Sequence, residues 1–274
     1  MIRRMHGDPV VAPVAKALQD AFARLDDVEA VAIIARIAER HAALRRLPDR
    51  VMLADFGAAS GEASGGENPQ PAKRIVELGS FYRLSRVDPL SSRILFHLVR
   101  ELRPDACVEL GTCTGLSAAY QAAALKLNGS GRIITIEGDE ELARRAADSL
   151  RALGLDRATV RNGHFDAELP PACAELSTVD FVFNDGHHEE EPTIRYFETM
   201  LPYLAPEATL VLDDINWSAG MRRAWRALSE HPRVEASVDL YRLGILRLGG
   251  SASAPKLKRH YRPLRGARRS TLDS

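Results

Sequence analysis

A chain of 274 residues with 45% hydrophobic content can bury one sizeable core and carry an appendage, and its formal net charge of zero gives no general reason to expect a polyanionic partner. The three cysteines, Cys107, Cys113 and Cys173, are too few and too scattered for a disulfide framework or a zinc knuckle, which points to a reducing compartment. No stretch approaches the roughly 20 apolar residues of a membrane span, and the early charges lack a long apolar core behind them, so a soluble, cytoplasmic chain with no membrane partner is expected.

From Pro13 to Leu47 apolar residues recur at helical spacing, with Pro48 as a stop, and predict two helices broken near Asp26 and Asp27. Residues 1–53 thus read as an N-terminal helical extension. The run from Gly57 to Lys73 is too rich in Gly, Ser, Ala and Pro to bury a core, so 54–73 reads as a flexible loop. A helix is expected over Ser91 to Arg103, ending before Pro104.

From Ala106 onward short apolar runs alternate with helical patterns: CVEL, RIITIE, ATVRN, VDFVFND and ATLVLDD, each followed by a helix, then VEASVDL and YRLGILRL joined by a tight connection. Five βα units and a hairpin predict an α/β domain over 74–250, with a mostly parallel sheet and one antiparallel strand near an edge. The last segment, 251–274, is basic, with Lys256, Lys258, Arg259, Arg262, Arg265, Arg268 and Arg269 against Asp273. Such a tail can touch nucleic acid or membrane, but a solvated end is the simpler reading, and neither is an expected partner.

In parallel sheets ligands sit at the carboxyl ends of the strands, and the polar clusters of this sequence fall there. In VELGTCTGLS, Gly111 and Gly115 allow backbone angles closed to other residues, and the amides of the new helix favour an anionic or carboxylate-bearing ligand. A dinucleotide loop prefers G-x-G-x-x-G, whereas here Thr112, Cys113 and Thr114 separate the two glycines, which weakens an NAD reading. Glu137 ends the second strand, where a carboxylate can accept hydrogen bonds from both hydroxyls of a ribose.

These residues resemble the class I S-adenosylmethionine-dependent methyltransferases: Glu109, Gly111 and Gly115 match the first motif and Glu137 the ribose-binding acid, which makes these four and Thr112 the expected cofactor contacts. The resemblance covers about Ser91 to Leu248 and implies a Rossmann-like seven-stranded sheet of order 3-2-1-4-5-7-6 with helices on both faces, and S-adenosylmethionine as cofactor. By the same resemblance Asn162 to Pro170 holds the adenine, which places His164 and Phe165 near the base, although Phe165 reads equally well as a core aromatic.

Asp185 ends the fourth strand and Asp213 and Asp214 the fifth, so three carboxylates converge on adjacent strands. Without a cation they repel one another; Mg²⁺ or a similar divalent ion resolves the conflict and can lower the pKa of a bound hydroxyl. The alternative for one of the two later aspartates is a helix cap or a bond to loop amides. The pattern is similar to the metal-dependent, catechol-type O-methyltransferases, with Asp214 where those enzymes carry Asn and His188 where they carry a Lys base. It also resembles a bacterial branch of the superfamily in DGHH, PTIRYFETMLPYL and LDDINWSAGMRRAW.

His188 and Asp185 are thus the candidate catalytic pair. His187 reads either as a metal or cofactor contact or as a loop imidazole bonding backbone, and Glu189, Glu190 and Glu191 as the acidic start of a helix. The expected reaction is metal-assisted O-methylation of a small-molecule hydroxyl. Two alternatives stand beside it: metal-independent methylation of nitrogen or of a macromolecule, and a cofactor-binding module without catalysis. The N-terminal segments are expected to cover the site as a lid or to form a homodimer contact.

Overall fold

The computed structural model describes residues 1–55, 72–85, 88–249 and 258–263. Most of the expected loop over 54–73 and most of the basic tail lie outside these residues.

The N-terminal region opens with helices α1 (Ile2–His6), α2 (Ala12–Ala23) and α3 (Val28–Leu44). The break between α2 and α3 has a local cause. Arg24 takes the left-handed conformation that ends α2, and Asp27 caps α3 by accepting the amide of Ala30 at 2.7 Å. Asp26 turns inward instead and pairs with Arg93 and with His97 Nε2, the latter at 3.0 Å, both on α5 (Pro89–Leu102). One acidic dipeptide therefore both stops a helix and anchors the extension to the domain.

Sequence periodicity did not predict the next element. Strands β1 (Arg50–Asp55) and β2 (Ala72–Glu77) pair antiparallel, with Arg50 opposite Glu77 and Asp55 opposite Ala72, and lead into helix α4 (Leu78–Leu84). Strand β1 docks on the domain where the amide of Ala54 donates to Asp139 Oδ2 at 2.6 Å.

The domain alternates β3 (Ala106–Leu110), α6 (Leu116–Asn128), β4 (Arg132–Glu137), α7 (Glu140–Ala152), β5 (Ala158–Asn162), α8 (Phe165–Leu176), β6 (Val179–Asn184), α9 (Glu190–Met200), β7 (Leu204–Leu212) and α10 (Ala219–Ser229). Strands β8 (Val234–Asp239), β9 (Gly244–Leu248) and β10 (Arg259–Tyr261) follow. Across the sheet the order is β5-β4-β3-β6-β7-β9-β8-β10, with β9 antiparallel to both its neighbours. Numbered from β3, this is the order 3-2-1-4-5-7-6 with an eighth strand added beside the sixth.

That added strand comes from the segment read as a solvated tail. Arg259 to Tyr261 pair with Ala236 to Val238, Arg259 bridges Asp8 at 2.9 Å and Glu235 at 2.8 Å, and the Tyr261 hydroxyl donates to Asp8 at 2.6 Å. Three of the basic tail's charges thus lie against acids of the fold: Arg259 at Asp8 and Glu235, Lys258 at Glu230 and Arg262 at Asp239.

Alternating strand residues feed two cores. Cys107, Ile133, Phe181, Phe183 and Val211 pack under α2, α3, α5 and α6, whereas Val108, Leu110, Ile134, Val182 and Leu210 pack under α8, α9 and α10. Strand order reverses between β3 and β6, and the carboxyl ends of these strands open a crevice. Among the described residues no helix is long and apolar enough to cross a membrane.

Candidate active site

A cavity of about 350 Å³ lies at the carboxyl ends of β3, β4, β5 and β6. Its floor is the turn after β3. Gly111 there has φ +94°, and its amide and that of Thr112 donate to the Ile136 carbonyl at 3.1 and 3.2 Å, which ties the turn to β4. Gly115, at φ +75°, starts α6 and lets α7 approach, since a Cβ there would lie 3.1 Å from that of Ala146.

Glu137 is the best-formed polar group of this cavity. One oxygen accepts the amide of Cys113 at 2.7 Å and the other the amide of Asp139 at 2.9 Å. The carboxylate is thereby oriented before any ligand arrives, with lone pairs left over for two hydroxyls. Burial raises its pKa, and the two amides pull the other way. His164 caps α8 at the rim, 45% exposed on its side chain. Phe165 lines the cavity and packs edge-on to His187 and Tyr196, at 5.5 Å between ring centres in each case.

Glu109 and Thr112 are placed differently from the cofactor contacts the motif suggested, and neither lines the cavity. Strand alternation turns Glu109 towards α6, where it is fully buried and accepts from Thr135 Oγ1 at 2.5 Å and Gln121 Nε2 at 2.8 Å. The Thr112 hydroxyl bonds that of Thr135 at 2.6 Å. These side chains brace the turn from behind.

Burial pushes the Glu109 carboxyl up to about 8, against the hydrogen bonds from Thr135, Ser117 and Gln121. The folded protein therefore holds a proton there that the unfolded chain releases above its ordinary value of 4.5. The associated stability is complete below pH 4.5 and is lost as pH rises through about 8. The buried Gln121 Oε1 has no hydrogen-bond partner as placed, and a protonated Glu109 facing a turned-over Gln121 amide would supply one. Glu109→Gln, a neutral isostere, is expected to flatten the fall in melting temperature between pH 5 and 8.5 and to melt above wild type at the alkaline end. A wild-type-like slope in thermal melts would contradict this.

The other end of the cavity is set by β6 and β7. Asp185 follows β6, and its amide donates to Leu110 O at 2.9 Å across the strand-order reversal. His188 Nε2 lies 3.3 Å from Asp185 Oδ1, off the line of a hydrogen bond, and 3.8 Å from Asp214 Oδ2. Burial raises the Asp185 pKa to about 6, with Asp213 and Asp214 adding to the rise and His188 opposing it. For His188 burial works against the proton, but Asp185, Asp214 and Asp213 more than offset it, and the imidazole pKa is raised.

The residues proposed for a divalent ion do not fit one in this arrangement. Asp213, with no exposed side-chain surface, is held on both oxygens by Arg242: Nε to Oδ1 and Nη2 to Oδ2, each at 2.9 Å. Its Oδ1 also accepts the amide of Asp214 at 2.8 Å. Arg242 Nε lies 3.3 Å from Asp214 Oδ1 as well. Among the described residues no group of three or more His, Cys, Asp or Glu side chains is disposed to hold a metal ion. Sequence reading missed Arg242 because it sits in a hairpin turn without a motif. The pairing of Leu212 with Gly244 across β7 and β9 is what brings it beside Asp213.

His187 bonds the Tyr196 hydroxyl through Nδ1 at 2.9 Å while lining the cavity, so it is at once a packed residue and a wall. Glu190 and Glu191 open α9 as expected, with Glu189 at its cap position. Trp217 is 71% exposed with its ring centre 6.5 Å from that of His188, whereas Trp225 is buried beneath Gly244. Asp239 is engaged in its own turn, accepting the Tyr241 amide at 2.8 Å.

Known proteins bear on this geometry. A family model described as a methyltransferase domain matches residues 108–215, the segment that carries Glu109 through Asp214. A catechol O-methyltransferase of Niastella koreensis is 30% identical over 131 residues, which is 47% of this chain and 58% of that protein. The match therefore spans under two thirds of the relative's length. The O-methyltransferase TomG from Streptomyces achromogenes, solved in complex with SAM, shares the fold at 23% identity and a TM-score of 0.51, over 61% of this chain and 82% of that one. Cofactor-bound Rv0187 from MTB shares it at 19% identity and a TM-score of 0.55, over 86% of this chain and 96% of that one. Residues 108–215 are thus similar to a methyltransferase domain, and the sheet around them has the fold of solved methyltransferases.

Proposed function

We propose that this chain is an enzyme that methylates a hydroxyl group of a small molecule with S-adenosylmethionine. The observation that carries the reading is Glu137, aimed by two backbone amides into a cavity whose other end holds His188 between Asp185 and Asp214. A carboxylate suited to a ribose and an imidazole flanked by carboxylates share one half-open cavity. Leu53, Ala54, Arg74 and Phe81 of the N-terminal hairpin and α4 add a wall to it, which favours a small acceptor over a macromolecular one.

S-adenosylmethionine, when bound, supplies an electrophilic methyl group whose bond to sulfur breaks with the electron pair remaining on sulfur. The chain's contribution is orientation and proton management. The positive-φ turn at Gly111 and the carboxylate of Glu137 would hold the nucleoside end. His188 presents Nε2 to Asp185 and Asp214, and its other ring nitrogen, Nδ1, would take the acceptor's hydroxyl proton. The two carboxylates then stabilise the imidazolium.

Calorimetric titration tests the cofactor half directly. S-adenosylmethionine is expected to bind and NAD not to bind. Glu137→Gln is expected to weaken S-adenosylmethionine about 10- to 100-fold, the loss of one or two charge-assisted hydrogen bonds. Binding of NAD alone, or an unchanged affinity in the variant, would sink the reading.

A further inference from the structure

We infer that Arg242 is a built-in cation of this active site and that, together with His188, it takes the positions a divalent ion would need. The inference deepens the methyl-transfer reading of the same residues and rests on it for its catalytic meaning. Three aspartates meet at the ends of β6 and β7, and a cluster of that kind needs positive charge to stay together. In this chain the guanidinium of Arg242 supplies it, and the imidazole of His188 fills the space between the other two carboxylates. The guanidinium of Arg242 grips Asp213 in a two-pronged pair and reaches Asp214 with the same Nε. The imidazole of His188 stands where Asp185 Oδ1 and Asp214 Oδ2 converge, with Nε2 3.3 and 3.8 Å from them.

An ion bridging Asp185 to Asp213 would have to displace the fork from a carboxylate whose side chain has no exposed surface. One bridging Asp185 to Asp214 would have to displace the imidazole. Mg²⁺ demands near-octahedral oxygen geometry and gives up its water reluctantly, so neither exchange is favourable. A guanidinium stays charged at every working pH and matches a carboxylate edge to edge, so the site keeps its cation permanently. The backbone secures the arrangement, because the Ile215 amide donates to the Arg242 carbonyl at 3.0 Å and locks the hairpin turn to the loop after β7. Arg242 is accordingly a positioning residue: it holds Asp213 and Asp214, and through Asp214 the imidazole of His188.

The test is a titration of the full chain with Mn²⁺ alone, followed by electron paramagnetic resonance of the free ion, on wild type, Arg242→Met and Arg242→Lys. Wild type is expected to show no site tighter than about 1 mM. Arg242→Met, which keeps the apolar stem and removes the charge, is expected to bind Mn²⁺ at least about tenfold more tightly, because it releases both oxygens of Asp213. Arg242→Lys, which keeps the charge without the fork, is expected to gain less than Arg242→Met.

Micromolar binding by wild type overturns the inference, as does equally weak binding by wild type and a folded Arg242→Met. Should Arg242→Met fail to fold by circular dichroism, Arg242→Gln carries the same comparison, and the wild-type titration still decides. Neither cofactor nor acceptor enters this experiment, so its failure leaves the methyl-transfer reading standing, and failure of that reading in the S-adenosylmethionine titration leaves the metal result intact.

Discussion

His188→Ala is expected to lower the turnover of methyl transfer by about 10²- to 10⁴-fold, the usual contribution of a positioned general base, while leaving S-adenosylmethionine affinity within about threefold of wild type. The reason is positional. His188 lines the same cavity as Glu137 but belongs to the turn after β6, and among the described residues its side chain faces Asp185 and Asp214 rather than the loop after β3 that would hold the nucleoside. The assay uses whichever phenol or alcohol wild type methylates in a radiolabelled-methyl screen.

Added imidazole separates a base from a merely packed residue. It is expected to restore part of the lost rate in the alanine variant and to have no effect on wild type. Turnover within about fivefold of wild type would remove His188 from the mechanism. Loss of cofactor binding in step with activity would assign it a structural role instead.

Gly111→Ala is expected to cost about 3 to 5 kcal/mol, the sum of a strained backbone and a clash that has no soft partner. The glycine sits at φ +94°, and a Cβ there would lie 2.5 Å from the carbonyl oxygen of Asp185. That carbonyl cannot simply retreat, because the Asp185 amide is hydrogen bonded to Leu110 O at 2.9 Å and the residue follows directly on β6. For a domain of this size the melting temperature is expected to fall by about 6 to 15 °C, with S-adenosylmethionine binding lost in step because the same turn forms the cavity floor.

Gly129→Ala is the control. Gly129 ends α6 at a similar φ of +76° with nothing within 4 Å of its would-be Cβ, so only the backbone term of about 1 kcal/mol remains. Equal destabilisation of the two variants would show that the contact between the β3 and β6 ends is not what makes glycine necessary at 111.

Much of the fold was legible in the sequence because its signals are local. Apolar runs bounded by turns marked the sheet strands from β3 to β9, amphipathic spacing marked the helices between them, and Asp26–Asp27 and Pro104 marked boundaries that the structure places within a residue or two. The positions at strand ends were readable for the same reason: a parallel sheet collects them at one edge whatever the details of packing. So Gly111, Glu137, His164, Asp185 and His188 were brought to one cavity by topology alone.

What could not be read depended on which face a side chain takes and which distant strand lies beside it. Glu109 carries the motif's acid, but strand alternation and the helix above it turn its carboxyl into the core, towards Gln121 and Thr135. The pairing of β1 with β2 joins segments whose own patterns are weak, and β10 is stabilised by Asp8, some 250 residues away in sequence.

The metal question turned on the same kind of fact. Three aspartates on adjacent strand ends are visible in the sequence, and the electrostatics of such a cluster require a cation. Sequence by itself therefore brought three carboxylates to one sheet edge, where a divalent ion was the expected partner. Only the antiparallel register of β7 with β9 decided that a guanidinium, that of Arg242, lies 2.9 Å from Asp213. Charge repulsion acts between neighbours of any origin, whereas the identity of the neighbour is set by long-range strand pairing.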